Sequence, residues 1–220
     1  MVVVQRDAGN ADARAEPFGF TCSRCLHCCR DKRIQINPYE IARLSRSLGI
    51  GTTEFRARHT EAGNGTCLAF KPSGECEFLG PEGCSVHADR PLVCRLYPLG
   101  RHIRADGVES FSHVPPHPLS RGNFDTCGTI ESYLEAQDAA PFIRAADAYF
   151  EWLCRAGECL DDGEVETGGA DAADILDMDA AISVYCTRTR EPEPHNVEER
   201  RLLHMKILDG YLSNPTGDRP

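Results

Sequence analysis

The sequence predicts an α+β fold, mostly helical, with long irregular loops and one short β-hairpin. Three observations carry this prediction. Residues 37–49 have the punctuation of a capped helix, and residues 67–98 are rich in Gly, Pro and Cys with no period of either regular structure. Asp106-Gly107 stands between two alternating runs.

Taken in order, residues 1–17 read as a polar, flexible arm, with Gly9, Asn10, Pro17 and several charges but no periodicity. Arg33-Ile34-Gln35-Ile36 alternates as a short strand does. The next helix has Asn37 as N-cap, Pro38 at its first position, Glu40 three residues after the cap and Gly49 just past its end. Ile41, Leu44 and Leu48 then share a face. A second helix starts near Thr52 or Thr53, carries Phe55 and stops in the Gly63-Asn64-Gly65 turn. His102 to Ala105 and Val108 to Phe111 flank Asp106-Gly107, the dipeptide of a two-residue hairpin turn.

Cys127 is expected in a turn, Thr126-Cys127-Gly128, just before a helix from about Thr129 to Ala140. Pro141 opens another helix with an apolar stripe of Phe142, Ala146, Tyr149, Phe150 and Leu153, closed by Gly157. Two further helices are expected near 173–186 and 196–213. The last, with Val197, Leu202, Leu203, Ile207 and Leu208, should pack on the body or on a partner. The resulting domain map is an arm (1–17), a cysteine-cluster domain (18–160), an acidic linker (161–172) and a helical C-terminal extension (173–220).

With 220 residues, 41 % hydrophobic and 26 % charged, the chain is neither collagen-like nor wholly disordered, and one domain with extensions is the default. The net charge of -10 comes mostly from one place. Residues 161–180 hold eight acidic side chains and no basic one, and the rest is nearly balanced, so neither a nucleic-acid face nor a lipid-binding surface is expected. The start lacks the pattern of an export signal, and no apolar stretch approaches the roughly 18 residues of a spanning helix. A cytoplasmic protein follows, in a compartment that keeps thiols reduced, where clustered cysteines point to metal or catalysis rather than disulfides.

Of the 12 cysteines, Cys22, Cys25, Cys28 and Cys29 form a C-x2-C-x2-C-C run. Thiols two residues apart can turn inward on one tight loop, as in zinc knuckles and iron–sulfur proteins. Cys28 and Cys29 are adjacent, so their side chains leave the backbone in different directions and one of them is free to serve a second metal or cluster. Cys67, Cys76, Cys84, Cys94 and Cys127 supply further thiols, whereas Cys154, Cys159 and Cys186 read as packing or surface thiols. A metal pinning the irregular loops makes the fold metal-stapled. Arg90, Arg95 and Tyr97 flank Cys94 and could bind a cofactor by donating to its sulfurs, or merely fix turns. His27 and His87 are read as spacers, and the prolines between His113 and His117 prevent a helical metal pair. No P-loop, Gly-x-Gly-x-x-Gly or Gly-x-Ser-x-Gly is present, and the C-x3-C-x2-C spacing fails at Lys32.

The C-x2-C-x2-C-C run, the helix from Pro38 to Leu48, Cys76-Glu77-Phe78-Leu79, Cys84-Ser85-Val86-His87, Arg90-Pro91-Leu92-Val93-Cys94-Arg95 and Tyr97-Pro98 together resemble the YkgJ-type cysteine-cluster proteins, described as zinc- or iron-chelating domains. The likeness spans about residues 18 to 135. It implies Cys22, Cys25, Cys28, Cys29, Cys76, Cys84, Cys94 and Cys127 as metal ligands, enough sulfur for two four-coordinate sites or two clusters, with Cys67 left open. An iron–sulfur cluster of the 4Fe–4S type, used in electron transfer, redox sensing or support of a protein modification, is the leading expectation. A zinc-stabilised interaction module that binds a protein partner is the alternative. A flagellin lysine methylase is similar in its cysteine motif, which leaves open whether the protein is an enzyme.

Overall fold

Asn37 starts the first long helix as its spacing requires. Its side chain accepts the Glu40 N–H at 3.0 Å while Glu40 Oε2 accepts the Asn37 N–H at 2.8 Å, a closed capping box, and Gly49 ends the helix in the left-handed region at φ +70°. The computed structural model describes residues 13–61, 65–104, 107–161 and 176–213. In chain order the elements are β1 (Pro17–Thr21), α1 (Pro38–Leu48), α2 (Thr52–His59), β2 (Leu79–Gly80), β3 (Gly83–Cys84), α3 (Leu92–Leu96), β4 (Leu99–Ile103), β5 (Glu109–His113), β6 (Asn123–Thr129), α4 (Ile130–Ala136), α5 (Ala140–Asp161), α6 (Met178–Thr189) and α7 (Val197–Ser213). This is an α+β fold with small two-stranded antiparallel sheets. Gly63 and Asn64, Asp106, residues 1–12 of the arm, and residues 162–172 of the acidic linker lie outside the described residues.

The chain divides into two compact units, Met1–Cys28 with Val93–Ala140, and Cys29–Leu92 with Pro141–Pro220. In the first, β1 pairs with β6 (Phe20 opposite Phe124, Thr21 opposite Asn123) and β4 with β5. The Phe18 ring meets Tyr133 edge-on at 5.0 Å. Arg14, in a 3-10 turn before β1, forks onto Glu109 at 2.6 Å and reaches Glu131 at 3.0 Å. Gly122 is required where it stands, because a Cβ there would come within 2.3 Å of the Phe20 ring.

In the second unit two buried clusters adjoin α1. Tyr39 packs with Phe142, Ala145, Tyr149, Trp152 and Leu208, and Ala42 with Met178, Ile182, Cys186 and Ile207. The α2 N-cap, Gly51, has no side chain to offer, so α6 supplies the cap. Asp179 accepts the Thr52 N–H at 2.9 Å, the Thr52 hydroxyl accepts the Asp179 N–H at 3.0 Å, and that hydroxyl donates to Asp177 at 2.6 Å.

Several expectations need correction. The alternation at 33–36 is real, with Ile34 and Ile36 buried, but it yields isolated bridges (Gln35 to Cys67, Arg30 to Glu75) rather than a strand. The 67–98 stretch holds a four-residue-spaced hairpin (β2, β3) and the short α3, both too brief to show a period. The ladder between β4 and β5 continues through the Arg104 N–H to the Val108 carbonyl at 3.0 Å, with Gly107 at φ +78°, and the turn expected at Asp106-Gly107 lies partly outside the described residues. Cys127 lies in β6 rather than in a turn, and the following helix ends at Ala136. Gly157 does not stop α5, which runs to Asp161. Its buried face is Phe142, Ala145, Tyr149 and Trp152, at heptad-like spacing. Phe150 and Leu153, about 100° further round, are 45 % and 57 % exposed. On α7, Leu202 faces solvent while Arg201 and His204 are buried.

Replacing Asn37 with alanine opens the capping box and is expected to lower stability by about 1 kcal/mol in urea unfolding.

Candidate metal centre

The C-x2-C-x2-C-C run leaves β1 and turns back on itself because two of its spacers adopt conformations most residues avoid. Arg24 (φ 54°) and Leu26 (φ 65°) both sit in the left-handed region, at a cost of roughly 1 kcal/mol each, and His27–Cys29 closes into a 3-10 turn. This curl carries the Arg24 N–H onto the Cys22 sulfur at 3.3 Å. Cys25 is held below the ordinary thiol range. The Arg121 backbone N–H acts first, with the His27 N–H and the Ser23 and Ser120 hydroxyls adding to it, and together they outweigh burial.

Tyr97 lies near the run. Burial raises its phenol, and the negative charges that Cys28, Cys25 and Cys22 carry as thiolates raise it further, so the phenol lies within electrostatic reach of the run. The phenol oxygen accepts the His117 N–H at 3.2 Å, and the Tyr97 carbonyl accepts the Tyr133 hydroxyl at 2.7 Å. The His117 ring stacks on His27 with centroids 4.9 Å apart and planes 7° from parallel. His27 is therefore a stacking partner rather than a bare spacer.

A second group forms in the other unit. The Cys29 carbonyl accepts the Cys76 N–H at 2.8 Å, and Cys84 pairs with Leu79 across β2 and β3. Burial pushes the Cys76 thiol up, and the charge of Cys84 adds to it. Burial therefore favours the protonated Cys76 thiol. Cys67 is fully buried, and its sulfur accepts the Arg33 Nε–H at 3.3 Å.

The remaining candidates are placed otherwise. Cys94 is half-buried on α3, three residues before Tyr97. Cys127 is exposed on β6, its N–H donating to Asp125 at 3.0 Å. Thr21 pairs with Asn123, so Cys127 lies four residues along the ladder, about 13 Å from the end where Cys22 emerges. Arg90 donates to the His87 carbonyl at 2.6 Å, and the buried Arg95 donates to the Gln137 carbonyl at 2.8 Å where α4 ends. Cys186 is a core residue and Cys154 is exposed, while the side chain of Cys159 lies outside the description.

Spacing gave no signal for Ser120, Arg121 and His117, which stand about 95 residues from the run they contact. Among the described residues no three His, Cys, Asp or Glu side chains lie close enough together to hold one metal ion. The chemistry of the donors nevertheless suits a soft cation. Thiolates select zinc and iron over hard ions, and the backbone N–H and hydroxyl donors around Cys22 and Cys25 are of the kind that orient and tune bound sulfur.

No described helix is long and apolar enough to cross a membrane. No curated protein and no solved structure matches the chain. One family model does match, over residues 21–115, and it is described as "CxxCxxCC: Putative zinc- or iron-chelating domain". That segment contains Cys22, Cys25, Cys28, Cys29, Cys76, Cys84 and Cys94. Residues 21–115 of this chain are therefore similar to the CxxCxxCC domain, described as zinc- or iron-chelating.

Proposed function

We propose that the domain holds iron as an iron–sulfur centre of the 4Fe–4S type and serves electron transfer, redox sensing or support of a protein modification in a reducing, cytoplasmic setting. What supports this reading is that candidate thiols occur in both units, Cys22, Cys25 and Cys28 in one and Cys29, Cys76 and Cys84 in the other. A single structural zinc site takes four donors, and the chain offers more than that in two places. The split also gives the adjacent Cys28 and Cys29 separate work. Cys94, three residues before Tyr97, is a further candidate in the first unit, and Cys127 would need to move along its ladder.

Once bound, the centre would supply one-electron chemistry. The chain's own contribution is to favour the Cys25 thiolate through the Arg121 and His27 N–H groups, and to place the half-buried Tyr97 phenol beside the run. Cys22 is exposed and Cys25 and Cys28 are half-buried, which leaves the loop room to tighten around a cation.

Protein purified without oxygen should be brown, with iron and acid-labile sulfide in near-equal amounts. A colourless protein with stoichiometric zinc would replace this reading with a zinc-stabilised interaction module, unfolded by chelators.

A further inference from the structure

We infer that Ser120 is a positioning residue for the proposed centre, its hydroxyl turned on the Cys25 sulfur from a loop beyond the segment that the family model covers. The inference rests on the metal-binding reading and adds to it a residue that the cysteine motif does not contain.

The geometry begins with the loop after β5. The Ser120 N–H donates to the His117 carbonyl at 2.7 Å, and the His117 ring nitrogen accepts the Leu119 N–H at 3.1 Å. The loop is held at both sides of the run. The His117 N–H reaches the Tyr97 phenol at 3.2 Å, its ring stacks on His27, and Gly122 lets the backbone press on the Phe20 ring of β1. Ser120 is thereby set 4.0 Å from the Cys25 sulfur.

A serine hydroxyl has one proton to give and can accept two. The Ser120 oxygen accepts the Gly122 N–H at 3.4 Å, which occupies a lone pair and leaves its proton for the sulfur. While Cys25 is a thiol it can donate to Ser120. With the sulfur on a cation, the same contact would run the other way, Ser120 donating to it. A hydroxyl so placed orients a metal-bound sulfur without ligating the metal, the part played by outer-shell residues whose loss costs 10–100-fold in metal affinity.

The test uses the full chain, Ser120→Ala and Ser120→Thr, titrated with zinc and with cobalt against a competing chromophoric chelator. Ser120→Ala should lose roughly 10-fold in affinity and shift the sulfur-to-cobalt charge-transfer band, while Ser120→Thr should restore both. The metal-free proteins should share one far-ultraviolet circular dichroism spectrum, since Ser120 is part-exposed and supports no core. If Ser120→Ala loses its fold, Ser120→Val against Ser120→Thr makes the same comparison at constant shape. Equal affinities and bands across the variants would overturn the inference and leave the metal-binding reading intact. A wild-type chain that takes up no zinc, cobalt or iron would remove both.

Discussion

Replacing Cys25 with serine is expected to empty the proposed centre, lowering metal affinity by at least about 100-fold, beyond the range of an outer-shell change. Cys25 is the middle thiol of the run, and backbone and hydroxyl donors converge on it. A serine hydroxyl there would not ionise, so the same N–H groups would face a neutral oxygen in place of a thiolate. Cys154→Ser, at an exposed position on α5, should leave metal content unchanged. Metal-to-protein ratios after anaerobic gel filtration compare the two directly. Retention of full metal by Cys25→Ser would exclude Cys25 as a ligand.

The second large effect concerns acid. His204 is fully buried on α7, with Nδ1 2.8 Å from the Tyr149 hydroxyl and, among the described residues, no hydrogen-bond partner at Nε2. Burial lowers its pKa to about 4, against smaller opposing pulls from Asp177 and Asp179. The unfolded chain binds this proton near pH 6.5 and the folded chain only near 4. Between those values the unfolded state holds more protons, so stability is complete above about pH 6.5 and falls as the pH drops toward 4. A separation of this size corresponds to roughly 3 kcal/mol. The chain has one tryptophan, and Trp152 lies in the same cluster as Tyr149, so its fluorescence reports this core. Urea midpoints at pH 7.5 and 4.5 should diverge for the wild type and much less for His204→Gln. Comparing the two chains at each pH removes the contribution of metal loss.

What the sequence made legible was local. The α1 helix is correct at both ends because cap, first-turn proline and terminal glycine act within one turn of each boundary. The last helix stands where its pattern put it, and the one before it, expected near 173–186, runs Met178–Thr189. Errors arose where a short signal competed with long-range pairing. Gly128 made Cys127 look like a turn, yet partnership with β1 draws 123–129 into a strand. On α5 the apolar residues extend more than halfway round the helix, so the stripe could not by itself name Ala145 and Trp152 over Phe150 and Leu153. At the candidate centre the thiol run was plain, but its surroundings were not. Tyr97 was named as a neighbour of Cys94, but His117, Ser120 and Arg121 reach the run only through the fold of the first unit, and no spacing rule spans some 90 to 95 residues.

X-ray absorption at the metal edge of anaerobically purified protein probes the donors themselves. The account predicts a first shell of sulfur, at about 2.3 Å if the metal is zinc. A shell of nitrogen and oxygen alone would contradict it, because the thiols of Cys22, Cys25 and Cys28 would then have no part in holding the ion.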